Sequence, residues 1–188
     1  MEVVVAMDSQ QFYEELMNDT RARAELNSDF TESAFLQEVT DRLVDAEEVA
    51  YLTPVHFAGT GSSNRRLAVS AYDMDETDDS VALAIVYFQD GSRIGTFTET
   101  EARRLFSSVV HYIEESMSGS FQIGREESSE EYELAETLRR RGRSVTRYRL
   151  YLLTKSLFKN LMPLVAGRAM LVLAPVVPRA GGGPGARP

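Results

Sequence analysis

Apolar positions along the chain fall into blocks whose spacing changes from helical to extended and back. Asp8 and Gln11 fit a capping box, and Phe12, Tyr13, Leu16 and Met17 then form an apolar stripe, predicting a helix from Asp8 to near Leu26. Asn27, Ser28 and Asp29 interrupt the pattern. Phe35, Leu36, Val39 and Leu43 resume it in a second helix that fades near Ala46. From Val49 the vocabulary turns β-branched and aromatic. YLTPVHF, a turn from Gly59 to Asn64, LAVSAY and, after an acidic loop, VALAIVYF predict three strands. The third, Val81 to Phe88, is apolar at nearly every position, the pattern of a central strand covered on both faces.

Thr98 and Glu101 form another capping box, ahead of Ala102, Leu105, Phe106, Val109, Val110, Ile113 and Met117 on one helical face. Ser128 and Glu131 start a further helix with Tyr132, Ala135 and Leu138 inward and Gly142 at its end. Val145 to Leu153, VTRYRLYLL, alternates as a strand with arginines on one side. The order α-α-β-β-β-α-α-β predicts an α/β fold, with a mixed sheet of about four strands flanked by helices. That fold occupies residues 1–159. The stretch 160–188 holds five of the six prolines and five of the twelve glycines, and reads as a disordered tail outside the folding unit. Its composition also suits a reading-frame change that leaves the head of a longer protein. The apolar run 161–177 carries Arg168 and is broken by Pro163 and Pro175, so it is not expected to span a membrane.

Charge divides the chain unevenly. All 29 acidic residues lie at or before Glu136, where nine arginines leave a balance of −20, while the basic residues from Thr137 onward give +11. The acidic part repels a polyphosphate backbone, so any nucleic-acid contact is expected to be local. Arg139, Arg140, Arg141, Arg143, Arg147 and Arg149 are the candidate surface for nucleic acid or another partner. The alternative is that Arg139 to Arg141 complement a helix dipole and pair with neighbouring acids.

Other chemistry is limited. The absence of cysteine excludes disulfides, thiolate metal sites and cysteine nucleophiles. With no basic region before the short N-terminal apolar run, the chain is expected to be cytosolic. Asp73, Asp75, Glu76, Asp78 and Asp79 are dense enough to hold a hard cation, but lack EF-hand spacing and read as a solvated loop. Gly59, Gly61, Ser62 and Ser63 lead into a strand, so they read as a turn and not as a phosphate cradle. His56 and His111 are separated in sequence, with His111 off the apolar stripe of its helix, and are not read as a catalytic pair. The aromatics read as core.

Taken together, DFTESAFLQEVTDRLVDAEEV, GTGSSNRRLAVSAYDMDETDDSVALAIVYF, FTETEARRLFSSVVHYIEES and SSEEYELAETLRRRGRSVTRYRLYLLTKS resemble the N-terminal region of the abortive infection phage resistance (AIPR) family. The resemblance covers roughly Asp8 to Lys159. It implies a phage-defence protein of bacteria or archaea in which a large C-terminal region normally follows, and a fold similar to restriction endonucleases. Nuclease chemistry there needs a strand-borne acid and an acid-x-Lys on the next strand to hold Mg²⁺. This chain has Ser70 and Ala71 at the first position and Ala84, Ile85, Val86, Tyr87 and Phe88 on the next strand, with no lysine before Lys155. The domain therefore reads as non-catalytic or catalytically degenerate, acting in recognition or assembly without a cofactor. The alternative is a divergent Mg²⁺-dependent nuclease using Asp73 or Asp75 with Glu38.

Overall fold

The leading helical segments become α1 (Glu2–Asn27) and α2 (Thr31–Asp45) in a computed structural model that describes residues 2–62, 64–75, 79–89, 95–158, 165–166 and 169–174. Helix α1 takes in the apolar run ahead of Asp8, so Asp8 lies in its interior and the expected capping box does not start it. Ser28, at φ 52°, reverses the chain into α2.

Three antiparallel neighbours follow, β1 (Thr53–Thr60), β2 (Arg66–Asp75) and β3 (Ser80–Tyr87). Strand β2 runs further than LAVSAY and includes Asp73 and Asp75, which the sequence reading assigned to a loop. A short strand β4 (Thr96–Phe97) leads into α3 (Glu99–Ser118) and α4 (Glu130–Arg141), after which β5 (Arg147–Thr154) pairs in parallel with β3. The chain continues through β6 (Leu157–Phe158), parallel to β4, then β7 (Val165–Ala166) and β8 (Ala169–Ala174). The sheet order is β1-β2-β3-β5-β8-β7. Its first four strands are those read from the sequence. The apolar AMLVLA of β8 adds a parallel neighbour to β5 from within 160–188. Residues 160–164, 167–168 and 175–188, with the Arg168, Pro163 and Pro175 readings, lie outside the described residues.

Each face of the mixed sheet has its own apolar core. Val81, Leu83 and Ile85 of β3 join Leu150, Leu152 and residues of α3 and α4, including Phe106, Val109 and Leu138. Ala82, Ala84 and Val86 join Tyr151, Leu153 and the α2 residues Phe35, Leu36 and Val39. Alternate side chains of one strand thus serve two helical layers, which is why β3 reads as continuously apolar. Each fully buried Leu, Ile, Val or Phe contributes about 1.5–3 kcal/mol through loss of apolar surface to water.

The Thr98–Glu101 capping box closes α3 as expected, with both reciprocal bonds formed. The cap of α4 falls one position later than read, at Ser129, whose hydroxyl accepts from the Tyr132 N–H. Within α3, Met117 is exposed where the stripe placed it inward, and Tyr112 is fully buried instead. Its hydroxyl donates to the Glu131 carbonyl at 2.6 Å, tying α3 to α4, and burial pushes its phenol pKa up. Gly142 does end α4, but in a right-handed conformation (φ −58°). Glycine is needed there for space: a Cβ would come within 2.4 Å of the Leu138 carbonyl oxygen and 3.1 Å of the Met117 side chain.

Candidate functional site

Strands β2 and β3 form a ladder from Asp75–Ser80 to Ala71–Ala84. At Ser70 this ladder gives way to a fork. The β1/β2 pairing carries an extra β1 residue between Pro54 and Phe57, opposite Ser70. Strand β2 changes sides at the same place: Leu67 and Val69 pack with the α3/α4 core, Ala71 with the α2 core. A bulge of this kind twists a strand and re-aims its side chains. Ser70 Oγ accepts the Val86 N–H at 2.9 Å, standing in for a ladder partner.

The fork opens a cleft of about 310 Å³. Ala68, Ile85, Val86 and Leu105 supply its buried apolar lining, Phe57, Tyr87 and Phe88 its aromatic wall, and Glu32, His56, Arg66 and Arg104 its charged or ionisable rim. The aromatic groups are held from behind. Phe88 packs on Phe35 at 5.3 Å and lies under the Lys155 ammonium at 4.5 Å, and Tyr87 meets Phe97 edge-on at 4.8 Å.

The rim arginines come from two Arg-Arg pairs. Arg65 bonds Glu114 at 2.8 Å and Arg103 bonds Glu99, whereas their neighbours Arg66 and Arg104 line the cleft. Sequence reasoning missed Arg66, Arg104 and Glu32. The signal was the doubling of arginine at two points in an otherwise acid-rich stretch. His56 also lines the cleft, while His111 Nδ1 lies 3.4 Å from the Arg66 carbonyl oxygen and is outside the lining.

The carboxylates nominated for metal chemistry lie elsewhere. Glu38 is held between α1 and α2 by Arg23 and Arg42, each at 3.1 Å. Asp73 accepts the Ala50 N–H at 2.9 Å. It shares a sheet row with Ala82 and Arg149, three positions along β2 from Ser70, and does not line the cleft. The backbone of Asp75 is in β2 opposite Ser80, Asp79 is exposed, and Glu76 and Asp78 lie outside the described residues. Among the described residues, no three or more His, Asp or Glu side chains gather as a cation cluster. At the fork, where the resemblance implies Mg²⁺, the oxygen side chains among the described lining residues are Glu32, the Tyr87 phenol and a Ser70 hydroxyl engaged by Val86. A hard divalent cation needs several oxygen ligands, chiefly carboxylates, so this set does not fit it.

The arginines from Arg139 to Arg149 divide by role. Arg149 is a strut: its guanidinium donates to the Glu48 carbonyl at 3.0 Å and to Ser80 Oγ at 3.2 Å, joining β5 to the loop after α2 and to β3. Arg139 faces Glu136 at 3.6 Å, and Arg141 is half-buried. Arg140, Arg143 and Arg147 are exposed, with no ion pair among the described residues. They lie at the end of α4 and the start of β5, whose parallel pairing sets Arg147 beside Ser80 and Thr154 beside Tyr87. The basic surface and the fork are therefore at opposite ends of the sheet. No described helix is long and apolar enough to cross a membrane.

The family model described as abortive infection phage resistance protein N-terminal domain matches residues 35–164, more than half of the chain. This span includes β1 to β5, α3, α4, the fork and the arginine surface. No curated protein and no solved structure is significantly similar to the chain.

Proposed function

The chain belongs to the abortive infection phage resistance protein N-terminal domain family, and on that premise we propose that it serves phage defence as a recognition domain without catalysis of its own. The observation that carries this reading is the bond between Ser70 Oγ and the Val86 N–H. It occupies the fork position where a nuclease of the implied type needs a metal-binding acid. The hydroxyl is engaged in holding the strands, and the nominated carboxylates of Glu38 and Asp73 have structural partners of their own.

Recognition falls to the exposed Arg140, Arg143 and Arg147. Three guanidinium groups on one end of the sheet suit an acidic protein surface within the defence assembly, because guanidinium pairs with carboxylate in a planar, two-bond geometry. Extended nucleic acid suits the site less, since beyond the local arginines the chain up to Glu136 carries a balance of −20 and repels a polyphosphate backbone.

Phage challenge of cells producing the protein tests the reading. Reversal of the three arginines to Glu is expected to abolish the reduction in plaques, while Asp73→Asn, which keeps an acceptor for Ala50, is expected to preserve it. Loss of protection in Asp73→Asn with the arginine variant unaffected contradicts recognition and favours the metal-dependent nuclease.

A further inference from the structure

The strand fork combines a cavity of organic-ligand size with two cationic side chains that no described residue pairs with. At about 310 Å³ the cleft exceeds what a bare inorganic anion fills and falls at the lower end of small-ligand sites. Arg66 enters from β2 and Arg104 from α3, so two different elements converge on it. Among the described residues neither guanidinium has a hydrogen-bond or ion-pair partner. Glu101 is close enough to feel Arg104, but its carboxylate is engaged by the Thr98 amide and hydroxyl. This contrasts with Arg23, Arg42, Arg65 and Arg103, each of which meets a carboxylate.

We propose that this cleft binds a small phosphate monoester bearing hydroxyl groups, of the nucleotide class, with Arg66 and Arg104 gripping the phosphate. Guanidinium groups present paired donors that match phosphate oxygens, and His56 adds a ring nitrogen at the same rim. Glu32, the one carboxylate among the described lining residues, accepts from a ligand hydroxyl. Apolar Ala68, Ile85 and Leu105 take up the remainder of the molecule. Binding is proposed without a metal, because the described lining residues offer one carboxylate where a hard cation needs several.

The proposal rests on the reading of the fork as a non-catalytic site. Calorimetric titration of the full chain with AMP, adenosine, and short oligonucleotides with and without a 5′-phosphate tests it, in the absence of divalent metal. AMP or the 5′-phosphorylated strand is expected to bind, adenosine and the unphosphorylated strand not to. Tighter binding of AMP identifies a free nucleotide as the ligand, and tighter binding of the strand identifies a strand end. Arg66→Gln and Arg104→Gln are each expected to weaken binding about tenfold or more, the loss of one charge-assisted contact, with Arg103→Gln unchanged. Both cleft arginines are exposed, so melting without ligand should match the parent and serve as the folding control. Absence of binding by both phosphorylated probes, equal binding of adenosine, or indifference to both arginine substitutions overturns the site and leaves the recognition reading intact. Conversion of a bound probe to product instead overturns the non-catalytic reading itself.

Discussion

Ser70 shows how one side chain can keep a sheet open without leaving a backbone group unpaired. Its hydroxyl takes the Val86 N–H where β2 and β3 diverge. Ser70→Ala is therefore expected to cost about 0.5–1.5 kcal/mol, the net worth of one part-buried hydrogen bond, measured by urea unfolding. A comparable role falls to Glu115, which is 2% exposed and accepts the Ser62 N–H at 2.9 Å from the turn between β1 and β2. A Cβ at Gly61 would come within 2.2 Å of that carboxylate, so Gly61→Ala should destabilise the protein by about 1–3 kcal/mol through overpacking. Hydrogen bonds from the Thr98 side chain and backbone hold the Glu101 carboxyl below its usual 4.5. Its contribution to stability is present above that pH and lost as pH falls through the lower folded-state value. Glu101→Gln should flatten the acid limb of a pH–stability profile in that window. The roles of Ser70, Gly61 and Glu115 do not follow from residue type and become specific only when a distant strand or helix arrives, whereas the Thr98–Glu101 box is local and legible in the sequence.

Elements were more legible than their ends, because an apolar stripe repeats over many residues whereas a boundary depends on one or two. The stripe of α2, that of α3 apart from Met117 and Tyr112, and the continuous apolar run of β3 emerge as read. Asp8 and Ser128 misled as caps: the first is overrun by an apolar segment, and the second is displaced by Ser129, which has the same chemistry one position on. The change of facing in β2 at Ser70 was not legible, since the bulge lies on the neighbouring strand β1, where Pro54 marks it, and nothing in LAVSAY itself announces it. Between α1 and α2, Glu38 bridges Arg23 and Arg42, and Asp19 and Asp41 extend the network. Glu38→Gln is expected to lower stability by about 1 kcal/mol, as partly exposed pairs do, in a denaturant titration, and to leave protection against phage unchanged. Under the nuclease alternative that variant would lose protection while remaining folded.

At the scale of the molecule, the sheet separates two surfaces of different chemistry. Arg140, Arg143 and Arg147 lie where β3 and β5 begin, and the cleft lies where β3 ends. The arginine run was visible in the sequence as a charge boundary, but its division into the Arg149 strut and the exposed trio depended on tertiary partners. The cleft was visible only through the positions that the family resemblance marked, Ser70 and the end of β3. Its arginines come from segments far apart in the chain, so no local pattern joined them. The central claim, a defence domain whose fork has lost metal chemistry, meets its most direct test in a cleavage assay. The full chain is incubated with labelled single-stranded DNA, duplex DNA and RNA in Mg²⁺ or Mn²⁺. The predicted result is no cleavage of any substrate, with no saturable heat of metal binding. Metal-dependent cleavage that Asp73→Ala abolishes without unfolding the protein would contradict the account.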